Sequence, residues 1–180
     1  MKTQQVLQQL AMILILLGLV ACQTAVSTLS EGEQTAVYTA AIRQVVTVDD
    51  TFGGMLNPPI IYILIQTDDS IGDPEIKQLP SMKLSTQQQN DISTALGDLD
   101  AQVTWINSFD DVNIDETSGA LVDEGVVVTI GNIQLHNNGS AQISASIYIA
   151  GLAAGGQTYI LEQVDGQWTV TGNTGVQWIS

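Results

Sequence analysis

Two alternating stretches decide the fold class: Ile143-Ser-Ala-Ser-Ile147-Tyr-Ile149, and Tyr159-Ile-Leu161-Glu-Gln-Val-Asp165-Gly166-Gln-Trp168-Thr-Val170. In the first, Ile143, Ala145, Ile147 and Ile149 fall on one side of an extended chain and polar or small residues on the other. That is the period-two pattern of a strand with one buried face. In the second, Tyr159, Leu161 and Gln163 alternate with Ile160, Glu162 and Val164. Asp165-Gly166 then supplies the two-residue turn that best matches the twist of a hairpin. Trp168 and Val170 return on a last strand. Outward from this core, Asn137-Asn-Gly139 predicts one tight turn and Gly155-Gly156 another. A run from Gly125 to Leu135, with Val126-Val-Val-Thr-Ile130, predicts a further strand, and Val103 and Trp105 alternate about Thr104.

The N-terminal half reads differently. Ser30-Glu-Gly-Glu33 fits a capping box, in which the serine hydroxyl accepts an amide N–H and the glutamate reaches back. Val37, Tyr38, Ala41, Ile42, Val45 and Val46 follow at helical spacing, so a helix is expected over 31–47 with Tyr38 and Ile42 inward. Ser85-Thr-Gln-Gln88 repeats the capping logic before Ile92, Ala95 and Leu96. It places a second helix over 86–97, with Gly97 just past its end. Between the helices, Ile60-Ile-Tyr-Ile-Leu-Ile65 is a continuous apolar run bounded by turn residues, as in a strand covered on both faces. The stretches 49–59 and 68–83 are irregular and rich in Asp, Gly and Pro.

The expected order is therefore helix, strand, helix and then a meander of strands. This is an α+β class, with both helices packed on a strongly twisted antiparallel sheet. That order resembles the cystatin-like or nuclear-transport-factor-like cone. The closing stretch, Gly151 to Leu161 and Asp165 to Val170 through Trp178-Ile-Ser180, also resembles the C-terminal end of many uncharacterised secreted bacterial proteins. Neither resemblance implies an activity. The Asp–His pairs of catalytic cone-shaped families have no counterpart here.

The leader supplies the one functional signal of high specificity. Met1-Lys2 precedes an apolar run from Leu10 to Val20, too short for a membrane-spanning helix of ~20 apolar residues. The run ends at small residues, as signal peptides do before their cut site. Leu19-Val20-Ala21-Cys22 resembles a bacterial lipobox, and Cys22 is the sole cysteine. The resemblance implies cleavage before Cys22, a diacylglycerol on its sulfur and further acylation, for example by palmitate. The expected organisation is a lipoprotein signal peptide over 1–21, the lipidated cysteine and a short tether over 22–30, and one α+β domain over 31–180. The partner so implied is the membrane itself, at its extracytoplasmic face. Two acyl chains anchor a protein stably where one does so only marginally. A lone cysteine makes no internal disulfide, so the domain stands on its core.

Charge narrows the partners. The chain carries 19 acidic residues against 4 lysines and arginines, a formal charge of −15. Loss of the leader would remove Lys2 and leave Arg43, Lys77 and Lys83. Such a surface does not bind nucleic acid, which needs basic side chains to displace counterions. Its acidity favours solubility and leaves cationic partners open.

Candidate chemistry is sparse. Asp111, Asn113 and Asp115 stand two residues apart like the first ligands of a calcium loop. However, the next expected glycine is Glu116 and the twelfth-position glutamate is Val122. Calcium is the one cofactor the sequence suggests, and otherwise none is expected. A second acidic cluster, Asp68-Asp-Ser-Ile-Gly-Asp73-Pro-Glu75, lacks the spacing of a known loop. A pocket in the sheet would draw on Tyr62, Trp105, His136 and Tyr148. Trp168, Trp178 and Tyr159 are further aromatic candidates that read more simply as core. His136 is the only histidine, and no Gly-x-Ser-x-Gly or other nucleophile motif accompanies it. The reading is a lipid-anchored envelope protein acting as a non-catalytic binding or structural module. Its alternatives are a hydrolase using the pocket with His136, or a calcium-stabilised surface module.

Overall fold

The computed structural model describes residues 28–180. The expected signal peptide, Cys22 and most of the expected tether lie outside them. Helix α1 spans Glu31–Thr47, and Ser30 and Glu33 form the full capping box at its start. Its buried stripe is Val37, Tyr38, Ala41, Ile42, Val45 and Val46, as the spacing predicts. Helix α2 spans Thr86–Ala95 behind a second capping box, Ser85 with Gln88. It stops sooner than expected, with Leu96 as its C-cap. The single arginine ties the helices together. Arg43 of α1 donates to both Asp98 carboxylate oxygens, at 3.0 and 2.6 Å, and to the Ala95 carbonyl at the end of α2.

The strands are β1 (Ile60–Leu64), β2 (Gln102–Ile106), β3 (Val126–Ile130), β4 (Gln134–Leu135), β5 (Ala141–Ala150), β6 (Ala153–Val164) and β7 (Gln167–Ile179). They form one seven-stranded sheet in the order β2-β1-β3-β5-β6-β7, and β4 pairs with β5 beside β3. The sheet is mixed, which corrects the expectation of an antiparallel one. β1 runs parallel to both β2 and β3, while β3, β5, β6 and β7 are antiparallel neighbours. The physical reason lies in the connections. Parallel neighbours need a crossover of a dozen or more residues. Residues 65–101, which contain α2, and residues 107–125 supply two.

Both helices lie on one face of the sheet. Their core joins the α1 stripe to Ile61, Ile63, Val126, Val128, Ile130, Ile143, Ala145, Ile147, Tyr159 and Leu161. The second face carries the alternate positions. Tyr62, Leu64, Val127 and Tyr148 pack there with Ile106, Val112 and Leu121, beneath segment 107–124. Farther along, a strap formed by residues 66–84 crosses β5 and β6. Asp73 N–H donates to Thr158 Oγ1 and Trp178 Nε1–H to the Ile71 carbonyl.

The Asp165-Gly166 turn forms as read, with both residues at positive φ, 52° and 79°. The Gly155-Gly156 turn does not. Both glycines sit inside β6, and the chain reverses at Gly151-Leu152, between the paired Ala150 and Ala153. The glycines are there for clearance. A Cβ on Gly156 would stand 2.5 Å from the Ile71 carbonyl oxygen and 2.7 Å from Trp178 Nε1. One on Gly155 would stand 2.9 Å from Thr51.

Two outcomes follow from this packing. Gly156→Ala forces the strap off the sheet and lowers stability by about 1–3 kcal/mol, read as a fall in Tm of ~2–4 °C per kcal/mol. Gly172→Ala, with nothing within 4 Å of its added Cβ, stays within ~0.5 kcal/mol. An unchanged Tm in Gly156→Ala would show that the strap is not seated as described. The second outcome concerns pH. Burial, aided by the nearby charge of Asp69, pushes the Tyr38 hydroxyl up to about 12, and burial raises Tyr159 as well. The folded state thus holds the phenol proton more tightly than the unfolded chain, whose tyrosines titrate near ~10. The stability this contributes is complete below pH ~10 and is lost as the pH rises through ~12. Thermal melts across that window show a falling Tm, and Tyr38→Phe makes the fall shallower.

Candidate functional site

The carboxyl ends of β1 and β2 open onto the second face. There a cleft of about 670 Å³ lies between the strap and the 3₁₀ turn at Phe109–Asp111. Ligands of open sheets with parallel strands characteristically bind outside those strand ends. Asp68 and Asp69 follow β1 into the cleft, and Ser108 and Phe109 follow β2. Its floor is Thr129 of β3, Ser146 and Tyr148 of β5 and Ala154 of β6, and Trp178 of β7 stands at its side. Among the described residues no lysine, arginine or histidine lines it.

Each wall is held by its own bonds. Asp69 is only 5% exposed. Its carboxylate accepts N–H groups from Asn132 backbone (2.6 Å), Asn132 Nδ2 (3.1 Å) and Leu79 (2.8 Å), which pins the strap to the end of β3. Asp68 is exposed; its Oδ1 accepts Ser70 N–H at 2.8 Å, and its Oδ2 takes no bond from the described residues. Tyr148 donates to the Gly119 carbonyl at 2.6 Å. Its ring meets Phe109 edge to face, with centroids 5.5 Å apart. Thr129 and Ser146 are 6% and 7% exposed, and among the described residues neither hydroxyl has a hydrogen-bond partner. Neither oxygen is among the sealed, unpartnered atoms of the described residues, so both hydroxyls open to the cleft and are free to bond what enters it.

A larger hollow, about 950 Å³, runs between α1 and the β6–β7 hairpin. Its walls include Ala36, Ala40, Trp168 and Val170, and its charged Arg43 is committed to Asp98. The unpaired atoms at its edge, Thr35 Oγ1, Thr39 Oγ1 and Trp168 Nε1, are sealed from contact rather than open to it. The smaller cleft therefore has the better claim to a polar ligand, despite its size.

The residues singled out from the sequence scatter. Tyr148 lines the cleft. Tyr62 shares its face and donates to the Asp123 carboxylate, a bond that raises the Tyr62 pKa. Trp105 faces the helices and donates to Ser93 Oγ at 2.9 Å. His136 is exposed at the β4–β5 turn, where its N–H meets the Ser140 carbonyl. The structure thus gathers Tyr62 and Tyr148 but not Trp105 or His136.

Asp111, Asn113 and Asp115 lie in segment 107–124, and the two aspartate carboxylates serve the backbone of their own segment. Asp111 accepts N–H groups from Asn107 and Ser108, and Asp115 from Thr117 and Ser118. Those bonds, from the Asn107 backbone and the Ser118 backbone foremost, hold both carboxyls below their ordinary range. Among the described residues no group of three His, Cys, Asp or Glu side chains is placed to hold a metal ion.

Phe109, Thr129 and Ser146 carried no signal in our reading, and Asp68 appeared only within an acidic cluster. A signal did exist. The outward positions of β5 and β6 are small (Ser144, Ser146, Ala154, Gly156, Thr158) where a solvated face would carry long charged chains. Small residues on an alternating strand mark a face approached closely by backbone. Comparison of the chain with protein-family models, curated proteins and solved structures finds no match.

Tyr148→Phe removes the bond to Gly119 and lowers stability by about 0.5–1.5 kcal/mol. Amide exchange rises chiefly in 107–124. Protection unchanged there would mean that this bond does not hold the cleft wall.

Proposed function

We propose that the protein is a lipid-anchored binding module of the bacterial cell envelope. Cys22 holds it to the extracytoplasmic face of a membrane, and the cleft beyond β1 and β2 is its ligand site. The observation that supports the binding role is the pair of hydroxyls, Thr129 and Ser146, that open to the floor of the cleft with no bond from the described residues. Mostly preformed concave sites with a few polar groups among aromatic rings are the usual form of small-ligand pockets. The anchor is supported by the leader pattern and by a tether from Cys22 to Ser30. Fully extended, that tether reaches at most ~3.6 Å per residue, so the domain works close to the bilayer. Among the described residues no helix is long and apolar enough to cross a membrane. The antiparallel half of the sheet, with α1 laid across β5 and β7, supports carrying the resemblance to a cystatin-like or nuclear-transport-factor-like cone as part of this reading. A non-catalytic role suits a cleft with two carboxylates, hydroxyls and rings but, among the described residues, no nucleophile–base pair.

Expression in a bacterial host tests the anchor. The wild-type chain fractionates with membranes, and its intact mass shows loss of residues 1–21 and a gain of lipid at Cys22. Cys22→Ser fractionates as uncleaved or unlipidated protein. An unmodified Cys22 in membrane-derived wild-type material would overturn the anchor.

A further inference from the structure

We propose that the ligand of the cleft is a small organic cation bearing a primary ammonium group. This rests on the cleft being a binding site and names what fits it. The first observation is uncompensated negative charge. Asp68 and Asp69 both line the cleft with no cationic side chain beside them among the described residues, and Lys77 and Lys83, the lysines of the strap, are not in its lining. Asp69 is buried, yet its carboxylate is held only by neutral N–H groups. Among the described residues the one ion pair is Arg43 with Asp98, on the other face.

The second observation is the acceptor set. An ammonium group has three N–H donors and no acceptor. The cleft offers three groups whose acceptor capacity is unspent: Asp68 Oδ2, and the hydroxyls of Thr129 and Ser146, two residues more than nine-tenths buried whose oxygens open to the cleft. The third is the aromatic lining. Phe109, Tyr148 and Trp178 give the alkyl part of such a ligand an apolar wall, and ring faces attract cations. An anionic ligand would meet two carboxylates and nothing to balance them. The formal charge of −15 draws cations toward the whole surface.

The test titrates the purified full chain, in detergent, by calorimetry at pH 7. The probes are n-butylammonium, 1-butanol (the same chain without the charge) and glucose. Butylammonium is expected to bind saturably at one site, and 1-butanol and glucose at least tenfold more weakly. Asp68→Asn keeps an oxygen for Ser70 N–H and is expected to weaken butylammonium about tenfold. Thr129→Val combined with Ser146→Ala is expected to weaken it at least fivefold. Asp165→Asn removes the same charge at the β6–β7 turn and is expected to leave binding unchanged, which separates the cleft from general attraction to an acidic surface. If glucose or butanol binds as well as the cation, and binding fails in the Thr129/Ser146 variant, the cleft stands and the cationic ligand is wrong. Equal loss in Asp165→Asn and Asp68→Asn also overturns the cation site. If none of the three probes binds, both the cation and the proposed binding role fail.

Discussion

The architecture depends on how closely a loop backbone approaches the second face of the sheet. Residues 69–73 lie against β5 and β6 at a distance no ordinary side chain would permit. A Cβ on Gly72 would stand 2.2 Å from Ser144 Oγ and 2.4 Å from Thr158 Oγ1. Gly131 is likewise bare beneath Asp69, whose Oδ1 would be 2.6 Å from an added Cβ. Three chain segments therefore meet through glycine, serine and threonine rather than through interlocking large side chains. The contact is made of hydrogen bonds, and each group is satisfied by a partner far away in sequence, as Asp73 is by Thr158 and Ile71 by Trp178. Because the strap is fixed in this way, the space between it and segment 107–124 remains open as a cleft.

Carboxylates organise the loops that bound this space. Asp50 is fully buried and accepts N–H groups from Phe52, Gly54 and Leu56, winding loop 50–56 around itself. Asp69 does the same between the strap and β3, and Asp111 and Asp115 do so within 107–124. An aspartate closing its own turn is a short-range substitute for regular structure. The acidity read from composition as a means of solubility is thus also the means by which the long irregular segments hold shape. It also leaves the chain poor in compensating cations near the cleft.

The edges of the sheet show how a long exposed strand is kept from pairing elsewhere. β7 is an edge strand of 13 residues, a length that would invite pairing with another chain. Its register with β6 breaks twice, between Gln157 and Tyr159 and between Ile160 and Leu161. At the first break Gly175 turns to positive φ (85°), and its N–H bonds Asn173 Oδ1. Bulges of this kind twist an edge away from a flat template. The second of the two breaks lies beside Val170, next to the hollow along α1.

Local chemistry determined what was legible in the sequence. Both capping boxes, the buried stripe of α1, the Asp165-Gly166 hairpin and the placing of Ile143, Ala145 and Ile147 on one face of β5 depend on residues a few positions apart, and all appear in the structure as read; that the opposite face of β5, at Ser144 and Ser146, is buried too was not legible. Tertiary structure alone decided the rest. Whether β1 runs parallel or antiparallel to its neighbours depends on which way long crossovers travel, and no local pattern records that. Gly155 and Gly156 looked like a turn because glycine permits a turn; they serve clearance because Thr51 and Ile71, distant in sequence, lie over them. The cleft was illegible for the same reason. Thr129, Ser146, Asp68 and Phe109 come from four separate segments, and only the folding of the strap over the sheet brings them to one place.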